Sequence, residues 1–217
     1  MRATESTLIV MLAFRTLKGG KCKMKAILLA VKPNQLVKIL NGEKTIEVRK
    51  SKLPLNVPVY LYCTKGKPYL VNFGDYEHPY KAGGIGLDFD LKNIERHGAE
   101  ILNGKVVAKC VFSEVEEYEY LPKVINGNLN DLEFTYLISN EDLSKMCLSI
   151  EDLEVYGNAM SLYGHTISNL EIFGIPKNLG EFYVLDKVET KRYDGFCKVY
   201  KPITKAPKSW CKIEVEE

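Results

Sequence analysis

Apolar and polar positions along the chain fall into short blocks that change period several times. "KAILLAVK" (25–32) is a nearly continuous apolar run of strand length, as expected of a strand buried on both faces. "PNQLVKILNG" (33–42) switches to helical spacing. Pro33 suits a first turn, Leu36, Ile39 and Leu40 form one stripe, and Gly42 can end the helix. Residues 44–49 alternate and are β-branched, and "VPVYLYCT" (57–64) reads as a third strand. A β-α-β-β order this early excludes a helical bundle and predicts a mixed α+β fold.

The middle of the chain is less regular. "KGKPYLVNFGDYEHPYKAGGIG" (65–86) is rich in Gly, Pro and Tyr and reads as loops around a short hairpin, so residues 65–104 are expected to form an irregular insertion. A strand, "GKVVAKCVFSEV" (104–115), follows a turn. The acidic run "EVEEYEY" (114–120) reads as a solvated edge or strand end, and "NGNLND" (126–131) as a turn cluster. Ser149 with Asp152 three residues later marks a capping box before the short helix "IEDLEVYG" (150–157). "HTISNLEIFG" (165–174) is strand-like, "IPKNLGEFYV" (175–184) a short helix or turn, and "SWCKIEVEE" (209–217) a last strand. No repeat and no linker divides the chain. Short strands, about three short helices and an insertion predict one domain built as a partly open β-barrel.

Composition narrows the function. With 217 residues, 46% hydrophobic and 27% charged, the chain can bury a core. A net charge of +2 means that any nucleic-acid contact must come from a local basic patch. The six cysteines (22, 63, 110, 147, 197 and 211) form no C-x-x-C pair, which argues against a zinc site and for free thiols in a reducing cytoplasm. No metal or cofactor is expected. "LIVMLAF" (8–14) is too short to span a membrane, so no membrane partner is expected either. Residues 1–23 read as a non-native or disordered extension, with Met24 as the natural start and residues 24–217 as the domain.

The densest chemistry lies in "NGEKTIEVRKS" (41–51). If Ile46 and Val48 face the core, Thr45, Glu47 and Arg49 face the other way. Lys44 lies at the strand mouth, where its stem can swing to the polar side. Arg49 offers a forked donor for phosphate or a base edge, Glu47 an acceptor for an exocyclic amine, and Lys44 a point charge or, if desolvated, a base. Spacing alone leaves two readings, a solvated strand edge or the floor of a site.

Gly42, Lys44, Glu47 and Arg49, after a strand and a helix, resemble the G-x-K-x-x-E-x-R signature of the ASCH domain family in the PUA-like superfamily. "GKVVAKCVF", "YGHTISNLEIFGIPKNLGEF" and "APKSWCKIEVEE" resemble further segments of a bacterial and phage branch, so the likeness covers nearly all of 24–217. It implies a small β-barrel, helices at its openings and a cleft lined by the motif that binds RNA or a nucleotide. Where that branch carries a Trp-His pair, this chain has His165 and Thr166; His165 is expected to be a hydrogen-bonded strand residue. A small bacterial member hydrolyses acetylated cytidine with a Thr nucleophile at the position held here by Glu47. Thr45, two residues away, lies about 7 Å along a strand, too far to replace it.

Trp210, the only tryptophan, can stack a base or plug the core. Lys65 and Lys67, after a strand whose Tyr60 and Tyr62 share a face, can meet phosphate. Lysines 187, 191, 198, 201, 205, 208 and 212, with Arg192, bias the C-terminal part towards positive charge. The expected function is therefore an RNA- or nucleotide-binding module, reading a modified base, with Lys44, Glu47, Arg49, Lys65 and Trp210 as site residues. One alternative is an amidohydrolase of acylated nucleosides using Lys44 and Glu47. Another is a protein-interaction module of a mobile element, with residues 65–104 as its contact surface.

Overall fold

A computed structural model describes residues 23–73, 84–125, 128–190 and 195–216. The expectations for residues 1–22 lie outside these, as do half of "KAGGIG" and part of "NGNLND". The elements run β1 (Lys23–Val31), α1 (Pro33–Leu40), β2 (Ile46–Arg49), β3 (Pro58–Cys63), β4 (Tyr69–Asn72), β5 (Ile85–Asp88), α2 (Leu91–Arg96) and β6 (Glu100–Ile101). They continue with β7 (Val106–Tyr118), β8 (Tyr120–Ile125), β9 (Asn128–Tyr136), α3 (Asn140–Met146), α4 (Ile150–Gly157) and β10 (Leu162–Lys177). A 3₁₀ turn, Leu179–Glu181, leads to β11 (Tyr183–Thr190), β12 (Gly195–Pro202) and β13 (Trp210–Glu216).

The mixed α+β class expected from the sequence is present, with most of the structure in sheet. Eight strands form one sheet in the order β12-β11-β13-β1-β3-β7-β10-β2. β1 sits near its middle, parallel to β3 (Ile27↔Val59) and antiparallel to β13 (Leu29↔Trp210). Its residues alternate between two cores, which explains the unbroken apolar run. Ile27, Leu29 and Val31 pack with Leu36 and Ile39 of α1, while Ala26, Leu28 and Ala30 pack with Tyr60, Tyr62 and Phe182. Pro33 opens α1 as expected, and Gly42 follows it at φ +76°.

Where a partly open barrel was expected, the large sheet is not closed into a barrel. β2 and β12 stand at the two ends of the sheet, and no ladder joins them among the described residues. The sheet is nevertheless strongly bent. β7 and β10 are long and pair through three register shifts, one of them around Asn169 at φ +51°. Such bulges increase local twist and curl a sheet.

Two stretches are more ordered than the sequence implied. The insertion carries a three-stranded sheet, β5-β4-β6, with α2 capped by Asp90, rather than loops alone around a hairpin. The acidic run forms the end of β7 and leads into the β8–β9 hairpin, which packs with α3 and α4 on a third core of Ile46, Val48, Tyr118, Tyr136, Met146, Leu153 and Leu162. The capping box at Ser149–Asp152 forms as expected.

Gly164 fits this third core for a steric reason. It faces Val48 of β2, and a Cβ there would stand 2.7 Å from Tyr118 Cε2 and 3.0 Å from Ile46 Cγ2. Gly164→Val is therefore expected to cost about 1–3 kcal/mol by overpacking. Urea unfolding checks this: a midpoint equal to that of the parent chain would place the ring of Tyr118 elsewhere.

Candidate functional site

β2 is the element that builds the site. Among the described residues its only partner strand is β10, with Glu47 opposite His165 and Arg49 opposite Tyr163. The approach from α1 is fixed at Thr45, whose N–H donates to Lys145 O and whose carbonyl accepts from Ile167 N–H. Ile46 and Val48 enter the third core as the alternation predicted. Glu47 and Arg49 point into a cleft, and Lys44 swings in from the strand mouth. Thr45 corrects the expected grouping: it is exposed and does not line that cleft.

The strand is not a solvated edge. Lys44, Glu47 and Arg49 are only 3%, 5% and 9% exposed. Arg49 Nη2 lies 2.7 Å from Glu47 Oε1, and Lys44 Nζ lies 3.5 Å from Glu47 Oε2. Each cation is also held by backbone: Lys44 Nζ donates to Met146 O at 2.9 Å, and Arg49 Nη2 to Ala30 O at 2.9 Å. Arg49 Nη1 reaches Ser209 Oγ at 3.3 Å, while its buried Nε has no partner. Burial lowers the Lys44 pKa from its ordinary value, and the charge of Glu47 opposes that shift.

His165 backs the triad. It has no exposed surface, its Nε2 accepts from Leu53 N–H at 2.9 Å, and its Nδ1 lies 3.3 Å from Glu47 O. An acceptor at Nε2 and a carbonyl facing Nδ1 fix the neutral ring with the proton on Nδ1. Burial lowers its pKa accordingly. It is the hydrogen-bonded strand histidine expected from the sequence.

Above the triad lies an open cleft of about 810 Å³, within the usual range for small-ligand sites. Its mouth carries Lys32, Lys50 and Lys208, all exposed, against the single carboxylate of Asp152. Tyr156 and Trp210 line it from α4 and β13. Trp210 is half-buried, packs partly on the first core, and donates from Nε1 to Ser51 Oγ at 3.1 Å. The structure thus brings together Lys44, Glu47, Arg49 and Trp210 and leaves out Lys65. Lys65 is exposed, its stem lies beside Gly104, and it is not among the cleft-lining residues, although the preceding Thr64 is. Of the basic C-terminal residues Lys208 reaches the cleft; the side chains of Lys187, Lys191, Arg192 and Lys198 lie outside the described set.

Sequence reasoning missed Tyr156 and Asp152 as cleft residues. They stand four apart on α4, hence on one helical face, and the capping box had already placed that helix. Among the described residues no three or more His, Cys, Asp or Glu side chains gather as a metal would require, and no helix is long and apolar enough to cross a membrane. Cys63 and Cys110 are buried free thiols, pushed by burial up to about 12.

No protein-family model matches the chain, and no curated protein matches it. Among solved structures the chain is similar to the ASCH protein of Zymomonas mobilis, with 12% identity and a TM-score of 0.41, over 71% of this chain and 73% of that one. Two mutants of that protein are similar at 13% identity. One has a TM-score of 0.41 over 71% of this chain and 74% of its own, the other 0.38 over 71% and 76%.

Two outcomes follow from this geometry. Glu47→Ala leaves two buried cations without a counter-charge and is expected to cost about 3–5 kcal/mol in urea unfolding, with Glu47→Gln costing less. His165 gives a pH dependence. Its folded pKa lies below the ordinary 6.5, so the unfolded chain binds the extra proton first. Its contribution is fully present above 6.5 and is lost as pH falls through the folded value. The fall in the urea midpoint on acidification below pH 6.5 should therefore be shallower in His165→Asn; an identical fall would remove His165 as its source.

Proposed function

We propose that the chain is an ASCH-type domain of the PUA-like superfamily that binds RNA or a nucleotide, including one with a modified base, in this cleft. The observation that carries the reading is the arrangement of three exposed lysines and two aromatic rings around a buried, fully paired Glu47. The lysines supply phosphate attraction, which bulk charge does not. The rings supply stacking surface. Arg49 is committed to holding Glu47 and the backbone of β1, so it acts as an orienting group and the mouth lysines take the phosphate. Each oxygen of Glu47 keeps a lone pair after accepting one cation and can receive an amine of a base at the cleft floor. The likeness in the G-x-K-x-x-E-x-R motif supports the same reading. In it the protein works as a cytoplasmic binding module of bacterial or phage origin.

One observation favours the alternative, hydrolysis of an acylated nucleoside. Lys44 is a buried amine with lowered proton affinity beside a carboxylate, a pairing suited to acid–base work. Thr45 lies outside the cleft, so in that reading Glu47 and Lys44 activate water and no motif hydroxyl attacks.

Calorimetric titration with short RNAs and modified nucleosides, with products followed by mass spectrometry, tests both. Saturable binding without product supports the module. Deacylation of acetylated cytidine lost in Lys44→Met makes it an enzyme, and the absence of both removes the cleft reading. Lys208→Ala is expected to weaken RNA binding across sequences and to reduce the slope of log affinity against log salt by about 1.

A further inference from the structure

The two aromatic rings of the cleft are tied to consecutive residues. Trp210 Nε1 donates to Ser51 Oγ at 3.1 Å, and the ammonium of Lys50 lies 5.5 Å from the centroid of the Tyr156 ring. The rings come from β13 and α4, far apart in sequence, yet flank one dipeptide at one cleft. Tyr156 is 41% exposed and contributes nothing to the third core, which α4 fills with Leu153 instead. An exposed aromatic ring on the cleft side of a helix, with a cation resting over it, is a surface awaiting a partner with a π-face.

We infer that the cleft holds two adjacent nucleotides of a single-stranded nucleic acid, one base on Tyr156 and the next on Trp210, with the intervening phosphate at Lys50. The inference rests on the cleft being a nucleotide site and specifies what kind. A mononucleotide engages one ring and leaves the other idle. A duplex keeps its base faces stacked inside and offers neither ring a partner. A single strand presents successive bases joined by one phosphate, matching ring, cation and ring. Lys50 is exposed, and an exposed cation–π contact is weak, so a phosphate can draw the ammonium off the Tyr156 face and open that face to a base. Lys32 and Lys208 continue the positive mouth for flanking phosphates. Asp152 opposes them only partly, because its carboxylate accepts from Ser149 N–H at 3.1 Å.

Trp210 is the only tryptophan in the chain, so its fluorescence reports directly on this site. The full chain is titrated with a nucleoside monophosphate, a dinucleotide, a single-stranded hexamer and a hairpin duplex, in RNA and DNA forms. The dinucleotide and hexamer should quench Trp210 saturably and bind roughly tenfold or more tighter than the monophosphate, with the duplex weaker than either. Tyr156→Ala should weaken the hexamer by about 5- to 150-fold, the equivalent of one lost stack, and Tyr156→Phe should restore it. Equal affinity for monophosphate and dinucleotide, preference for the duplex, or a hexamer indifferent to Tyr156→Ala would overturn the two-base arrangement while leaving a nucleotide site in place. No binding of any nucleic acid would overturn both readings.

Discussion

The pairing of Glu47 with Lys44 and Arg49 is the constraint on which the rest of the site depends. Burying three charges is costly, and the attraction among them offsets that only when the remaining hydrogen bonds are made. Here they are made by backbone from other parts of the fold. Lys44 takes the carbonyl of Met146 at the end of α3, and Arg49 takes that of Ala30 in β1. The triad therefore fixes where β2 lies against both the helices and the middle of the sheet. Arg49 also substitutes for a ladder. β2 and β1 are separated by three strands in the sheet order, yet one side chain crosses the opening between them. A sheet that does not close by backbone pairing is held in its curl by a guanidinium.

Much of this was legible in the sequence, for identifiable reasons. The buried run of β1, the Pro33 start and Leu36–Ile39–Leu40 stripe of α1, and the Ser149–Asp152 box are local signals, and they formed as read. The motif residues Lys44, Glu47 and Arg49 converge because strand alternation fixes their side. What the sequence withheld was burial. Alternating charge reads as a solvated face, and only packing from α3, β1 and β13 turns it into a floor. Lys65 stands outside this cleft for the converse reason. Its nearness to the end of β3 was a statement about the chain, and the turn carries it away from the cleft while leaving Thr64 inside. The β8–β9 and β11–β12 hairpins were not legible because their strands, such as YLPKVI and YVLDKVET, show no clean alternation of apolar and polar residues.

The cleft separates two kinds of work that the sequence merged. The buried groups hold one another, and the exposed groups around them remain available. Lys44 joins the two levels. Together with Lys38, which donates to Cys147 O, it ties down the C-terminal end of α3, and α3 leads directly into α4 with Asp152 and Tyr156. One wall of the cleft is thus anchored through the same lysine that faces Glu47.

The sequence distances spanned by the site have a consequence for its assembly. Arg49 and Ser209 are 160 residues apart, and Trp210 and Ser51 are 159 apart. A ribosome makes the wall that completes the motif some 160 residues after the motif itself. While the chain is being synthesised Glu47 and Arg49 have neither Ser209 nor Trp210 beside them, and contacts of such high order form slowly even afterwards. The cleft is consequently complete only once β13 is made, and a chain ending before β13 would carry the whole motif without the wall that Trp210 gives it.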